Sequence, residues 1–415
     1  MLCHRGGERR IFLETGKTYF SPLVDNINII DPHTKKRRRF VASDAKKMAT
    51  VMDYTRHMDV VQVGAFADDL PPEIVDRVNT LEMMLHQRKA ISFSPKGPEA
   101  LLDIIEMAAI VAGGKDELRL NPYVMKLGEP ISPLLSDFHA MDKLMYNARH
   151  GIPQVYTPCC IGGATVPATH AGQLVCAFSE SMLGVVVAQL LNPGTCVIMG
   201  GVQSIMDMQY SVYAYGSPEL SLMSAALTEM AQYAGLPMFS TAGCTDTKIL
   251  DAQGAIEAAT SVHSAMLSGA NFIHDVGYFE SGMTGSVLQL VMADEQIGMS
   301  HVVAKGIEIN EEALAVEEIC QVGPGGDYRD RDHTQKHAAA LWTPTLMDRQ
   351  NYEDWAAQGQ TTMRDRVIAK ARDIIANFEG PLSKVPPEAK KKIEDILQAA
   401  EEREARKAAA DKKAG

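Results

Sequence analysis

Between residues 26 and 294 the chain repeats one pattern: a short apolar run, a break marked by Gly, Pro or polar residues, then an amphipathic stretch long enough for a helix. The runs are Val60-Val61-Gln62-Val63, Ile91-Ser92-Phe93, Tyr123-Val124-Met125, Gln154-Val155-Tyr156, Cys196-Val197-Ile198-Met199, Pro237-Met238-Phe239 and Phe272-Ile273. Counting 26–30 as a first member gives eight strand–helix units, spaced about thirty to forty residues apart. Strands alternating with helices pair in parallel, because each helix returns the chain to the same end of the sheet. Eight units in about 250 residues match a (β/α)8 TIM barrel. The expectation is therefore an α/β chain: a TIM barrel with a C-terminal helical extension. The first unit is the least determined, since 26–30 can equally pair as a hairpin capping the barrel floor. A doubly wound open sheet is the alternative. It calls for a GxGxxG turn after the first strand, and the chain has none there.

The same pattern divides the chain into an N-terminal extension (1–20), the barrel (21–306), a C-terminal segment packed on the barrel (307–380) and a charged helical or disordered tail (381–415). Forty basic against 52 acidic residues leave a formal charge of −12, which argues against nucleic acid as a partner. The basic run Lys35-Lys36-Arg37-Arg38-Arg39 reads as a solvated turn. Seven scattered cysteines with no CxxC pair point to a reducing cytoplasm. No window reaches the ~18 uninterrupted apolar residues of a membrane span, and the N-terminus lacks a signal-peptide pattern. The 23 methionines are read as adaptable core filling.

In a parallel barrel, chemistry gathers where strands end. Those positions hold Phe93, Lys126, Glu129, Tyr156, Asp246, Lys248, His274, Asp275, Tyr278 and Glu280, with Phe239 and Phe279 close by. The stretch from Asn271 to Asp294 is the densest. A strand runs into His274-Asp275 and Tyr278-Phe279-Glu280, then a Gly282–Gly285 turn, then a helix opening on Ser286 with Gln289 three residues on, the spacing of a capping box. Aromatics and carboxylates outnumber basic groups, which suits a cationic substrate better than a phosphorylated one. Core packing is the bland alternative for any one aromatic. Lys126 or Lys248 as a Schiff-base lysine keeps a lyase or aldolase barrel open. His333 and His337 have i, i+4 spacing but no HExxH glutamate or third ligand, so no metal site is expected. Cys159-Cys160 reads as small buried residues.

Three segments resemble the trimethylamine methyltransferase family. They are Thr241-Ala242-Gly243-Cys244-Thr245-Asp246-Thr247-Lys248 with Asp251-Ala252-Gln253, then His274 to Gly282 continuing to Asp294-Glu295, then Val322-Gly323-Pro324-Gly325-Gly326 with His333-Thr334, Trp342, Asp348-Arg349, Tyr352 and Trp355. The resemblance implies a barrel enzyme that moves a methyl group from a methylated amine to the Co(I) of a separate corrinoid protein, with no tightly bound cofactor of its own. Trimethylamine-specific members carry pyrrolysine, whereas this chain is written in the twenty standard residues. That departure implies the quaternary-amine branch, with glycine betaine-like substrates; a trimethylamine or other methylamine enzyme is the alternative. Members also carry more chain ahead of the barrel than stands here, which points to a shortened start.

With that resemblance, Glu280, Asp246 and Glu129 are the expected charge-balancing, catalytic groups. Phe93, Tyr156, Phe239, Tyr278 and Phe279 are the expected aromatic walls, and His274, Arg329 and His333 further substrate contacts. Lys126, Lys248, Arg329 and Arg331 are equal candidates for a substrate carboxylate. A corrinoid protein and a small methylated amine are the expected partners. The aromatic 342–355 stretch has the composition of an interface, and a homo-oligomer is expected.

Overall fold

The structure, a computed structural model, describes residues 2–3, 10–13, 16–22, 25–62, 64–377 and 385–414. Its centre is a sheet of eight parallel strands: β1 (Tyr19–Pro22), β2 (Val60–Val61), β3 (Ala90–Phe93), β4 (Val124–Gly128), β5 (Gln154–Tyr156), β6 (Val197–Gly200), β7 (Met238–Thr241) and β8 (Phe272–Val276). They stand in the order 1-8-7-6-5-4-3-2. The Asp59 amide, just ahead of β2, donates to the Phe20 carbonyl of β1 at 2.7 Å and closes the sheet into a barrel. Each strand is followed by its helix: α1 (Ala42–Tyr54), α2 (Val75–His86), α3 (Pro98–Ala112), α4 (Phe138–His150), α5 (His170–Leu191), α6 (Pro218–Tyr233), α7 (Ala252–Leu267) and α8 (Val287–Lys305). Pro98 and Pro218 stand at the first helical turn, where a missing N–H costs nothing. Asp137 caps α4 by accepting from the His139 and Ala140 amides. The chain is thus the expected TIM barrel.

Its first strand is not 26–30, however. Asn28–Ile30 pairs antiparallel with Arg37–Arg39 and parallel with Thr284–Gly285, beyond the C-terminal ends of β1 and β8. The reason lies in both segments. Tyr19 and Phe20 offer large side chains to both faces of a doubly covered sheet, whereas the turn after Asp31 folds 28–30 back on its own neighbour. The hairpin alternative holds, but at the mouth. A second hairpin, Leu2–Cys3 with Arg10–Ile11, covers the floor, where Cys3 N–H donates to the Pro122 carbonyl.

Alternation along the strands separates two cores. Tyr19, Val60, Ala90, Met125, Leu127, Val155, Ile198, Phe239 and Phe272 point inward, sealed below by Leu2 and Ile11. The intervening residues point outward against the helices, with Ile91, Phe93 and Val124 in one cluster and Tyr156, Val197, Met199 and Met238 in another. α5 is long and apolar enough to cross a membrane by length and composition. Here it packs as a barrel helix, turning Gln173, Glu180 and Ser181 inward.

Beyond α8 the character changes. No residue from 301 to 345 is buried, although α9 (Glu311–Leu314), α10 (Val316–Val322) and α11 (Asp332–Ala338) form there. The chain rejoins the barrel where the Glu295 carboxylate of α8 accepts from the Thr345, Leu346 and Met347 amides and the Thr345 hydroxyl. After α12 (Tyr352–Ala357), α13 (Met363–Ala376) lies against α1 and α8. α14 (Pro387–Ala414) lies along α3, burying Ile393 and Ala400 and pairing Arg403 with Glu99 and Asp103.

Candidate functional site

At the strands' C-terminal ends, loops replace the ladder and side chains can converge. The loops after β5 and β6 build a small sheet of Cys159–Gly162, Val202–Asp207 and Val212–Tyr213. This sheet carries Cys159 and Tyr213 to the mouth, with Tyr215 two residues on. The Asp246 carboxylate holds that tyrosine segment in place. It accepts from the Tyr215 amide at 2.9 Å, the Gly216 amide at 2.8 Å and the Ser281 hydroxyl at 2.8 Å. Gly282 makes room for the ring: its φ is +87°, and a Cβ there would stand 2.9 Å from Tyr215 Cε2. So placed, the Tyr215 hydroxyl donates to Asp275 Oδ2 at 2.8 Å. Tyr213 and Tyr215 meet edge to face with ring centroids 4.8 Å apart, and Tyr278 stacks beyond Tyr215 at 6.3 Å.

Beneath lies His274, its ring 4.0 Å from that of Phe239. His274 Nδ1 stands 2.7 Å from the Ser240 carbonyl. A carbonyl only accepts, so Nδ1 carries a proton and Nε2 of the neutral ring is an acceptor. Nε2 faces Asp275 Oδ2 at 3.3 Å, so the two groups share a proton. Burial pushes the Asp275 carboxyl up, outweighing the pull of His274 and Tyr215, and the same burial pushes the His274 imidazole down. Both shifts favour the uncharged forms of the pair. Around it, burial is the first cause that raises the Cys159 thiol and the Tyr213 and Tyr215 hydroxyls. The Cys159 thiol is pushed up by burial, then by Glu129, Cys160 and Asp275. The Tyr213 hydroxyl rises through burial, then Cys159, Cys244 and Asp275, and the Tyr215 hydroxyl through burial, then Asp275. Tyr213, Tyr215 and Cys159 still keep accessible surface, as walls of a pit do. A pit that resists negative charge, walled by phenol rings, suits a cation.

The expected site residues are only partly gathered there. Glu129, Phe239, His274 and Tyr278 belong to the mouth or its floor, with Glu129 exposed at the rim. Asp246 is one layer out, its carboxylate occupied by the tyrosine segment. Glu280 turns to the rim hairpin, paired with Arg37 at 2.7 Å and bonded to the Thr284 hydroxyl. Phe279 is fully buried at the start of α7, near Gly254. Phe93 and Tyr156 point outward, Tyr156 bonding Ser136 at 2.7 Å in the helix layer. Arg329 pairs with Asp327 and is 88% exposed, and the His333 ring is tilted against that of His337. Both lie in the 301–345 stretch, away from the mouth. Lys126 also points outward, fully buried. Desolvation and then the Lys143 charge bring its pKa down to about 7. Lys248 is on the surface, donating to the Asp246 carbonyl. Neither lysine reaches the pit, which removes the Schiff-base reading. Among the described residues no group of three His, Cys, Asp or Glu side chains is placed to hold a metal.

Tyr213 and Tyr215 went unread in the sequence. Their signal is the alternation in Val212-Tyr213-Ala214-Tyr215-Gly216, a short strand hidden in what looks like one long loop.

A profile described as trimethylamine methyltransferase (MTTB) matches residues 1–405. Over 378 residues the chain is 32% identical to trimethylamine methyltransferase MttB of Desulfitobacterium hafniense, covering 91% of this chain and 76% of that protein. Over 400 residues it is 32% identical to glycine betaine methyltransferase of the same species, covering 95% and 80%. Among solved structures it is similar to the Methanosarcina barkeri monomethylamine methyltransferase MtmB, with TM-score 0.49 and 10% identity over 88% of this chain and 73% of that one.

Proposed function

Since the chain belongs to the trimethylamine methyltransferase family, we propose that it takes a methyl group from a quaternary amine, R–N(CH3)3⁺, and delivers it to a corrinoid protein. The pit of Tyr213, Tyr215 and the His274–Asp275 pair carries this reading. Each desolvated phenol face contributes ~1–2 kcal/mol toward a methylammonium head, and Asp275 supplies the opposite charge once it gives up its proton. Glycine betaine, the substrate in one relative's name, has such a head.

The residues present hold and orient the head. Tyr213 and Tyr215 lie against its methyl groups, Asp275 sets the nitrogen's depth, and one methyl faces outward. The carbon–nitrogen bond breaks with its electron pair left on nitrogen, so a neutral tertiary amine departs and no proton is moved. A corrinoid bound to its own protein would supply a Co(I) nucleophile. Large apolar side chains on the loops after β4 and β6 and at the start of α4 fit such a partner. Leu134, Phe138, Met208 and Tyr210 are all more than half exposed around the mouth, where surface of this kind marks a contact site. Turnover should be followed by NMR with a panel of methylated amines and chemically reduced cobalamin as acceptor. A quaternary amine should lose one methyl group. Turnover of a phosphorylated aldehyde, with none of any quaternary amine, would sink the proposal.

The assembly we propose is a homo-oligomer, with a second copy of this chain covering two uncovered surfaces. α9, α10 and α11 span only four to seven residues each, too short to persist without packing. With the chain leading into them they expose Ile307, Ile309, Leu314, Val316 and Ile319. The outer faces of α5, α6 and α7 expose Val175, Leu183, Val186, Leu190, Leu222 and Ile256, and α5 has no charged residue on that face. Among the described residues neither surface is covered, and each offers the other an apolar face. Seven thiols, all unpaired, agree with a reducing, cytoplasmic setting.

A further inference from the structure

Below the tyrosines, the inward face of the barrel carries several uncharged polar side chains among its apolar ones. Strand alternation places Gln62 after Val60, Ser92 after Ala90, Thr157 after Val155, Gly200 after Ile198 and Thr241 after Phe239, all on the inward face, with Thr241 in register with His274. Gln62 is 1% exposed, and Ser92 and Thr157 are fully buried. Both amide atoms of Gln62, the Ser92 hydroxyl and the Thr157 hydroxyl have no hydrogen-bond partner. A buried polar group without a partner costs about 1–3 kcal/mol, so three on one inner surface call for a cause. Gly200 keeps that surface open, since a Cβ there would stand 2.9 Å from Thr157 Oγ1 and from the Phe239 carbonyl oxygen.

We propose that Gln62, Ser92 and Thr157 form a subsite for the fourth substituent of the quaternary nitrogen, and that this substituent bears a neutral hydrogen-bonding group, an alcohol or an amide. The inference rests on the methyl-transfer reading, which turns one methyl outward and so directs R inward. Gln62 both donates and accepts, and the two hydroxyls do likewise, which matches a group that does the same. A carboxylate fits worse. The charged groups that act on the pit are Asp275 and Glu129, both acidic, and the cations about the mouth point elsewhere: Lys126 outward, Lys248 to the Asp246 carbonyl and Arg37 to Glu280. Burying an anion beside carboxylates with no cation opposite is strongly unfavourable.

The test is calorimetric binding of three ligands to the whole protein: tetramethylammonium, its 2-hydroxyethyl analogue and its carboxymethyl analogue. The hydroxyethyl compound should bind roughly tenfold tighter than either of the others, the yield of one or two net hydrogen bonds. Gln62→Leu and Thr157→Val should each reduce that preference to about threefold or less. Neither should lower Tm, because each removes a polar atom that has no partner in the free protein. Equal affinities, a carboxymethyl preference, or a lowered Tm with the preference intact would overturn the subsite while leaving the ammonium pit standing. Failure of all three ligands to bind would overturn the methyl-transfer reading as well.

Discussion

Asp275 is the residue on which ligand charge and protein stability meet. Burial holds its folded pKa above the unfolded value, so the folded protein binds the extra proton. Stability then falls as pH rises from about 3.9 through the folded value. A bound quaternary cation reverses the balance, because its charge favours the carboxylate and drives the proton off. Calorimetry in two buffers of different ionisation heat should therefore give different binding enthalpies, and affinity should rise with pH. Asp275→Asn should raise Tm near neutral pH, bring it back to the wild-type value near pH 4, and weaken ammonium binding by tenfold or more. A buffer-independent enthalpy together with unchanged affinity in the variant would rule out this role. At this scale the sequence was legible in part. His274 and Asp275 are conspicuous at a strand end, yet Glu280, five residues on, looks equally available for a cation until Arg37 and Thr284 are found around it. Which carboxylate is free depends on partners remote in the chain.

Among the elements, helix starts follow local chemistry closely. Ser286 accepts from the Gln289 amide at 3.2 Å, as its spacing indicates. The reciprocal half of the box is missing because the Gln289 side chain donates to Gly254 on the neighbouring helix. Glu295 does similar work between elements, fastening 345–347 to α8. Burial raises its pKa, but the amides of Leu346 and Met347 and both Thr345 donors outweigh that and hold it low. A depressed carboxylate contributes stability above its unfolded pKa of about 4.3 and loses it as pH falls through the folded value. Glu295→Gln should lower Tm at pH 7, costing about 1–3 kcal/mol, with the gap closing below about pH 4. The 345–347 amides should also exchange faster with solvent; unchanged exchange there would show that the clasp is held by other contacts. Strand facing was less legible than strand position. Phe93 and Tyr156 lie at strand ends as expected, but a doubly buried strand is apolar on both faces, so its sequence does not say which side chain looks into the barrel.

For the molecule as a whole, the proposed assembly makes a direct prediction. Val186→Glu with Leu190→Glu places two charges on the apolar face of α5, and removal of residues 307–343 deletes the opposing surface. Sedimentation at micromolar concentration should show the wild type as a dimer or larger, with both variants shifted toward the monomer. A monomeric wild type, or variants that still assemble, would remove the second copy from the account. By itself the sequence determined the eightfold strand–helix alternation, the closed parallel barrel and the end at which chemistry gathers, because period, turn residues and caps act within a few positions. Closure decided the rest. The polar pit depends on the loops after β5, β6, β7 and β8 meeting over one axis. Asp246 has to reach back to Tyr215 and Gly216, and Gly282 has to yield to a ring 67 residues earlier in the chain. Such contacts are set by how tilted strands come round into register, and no local pattern encodes them.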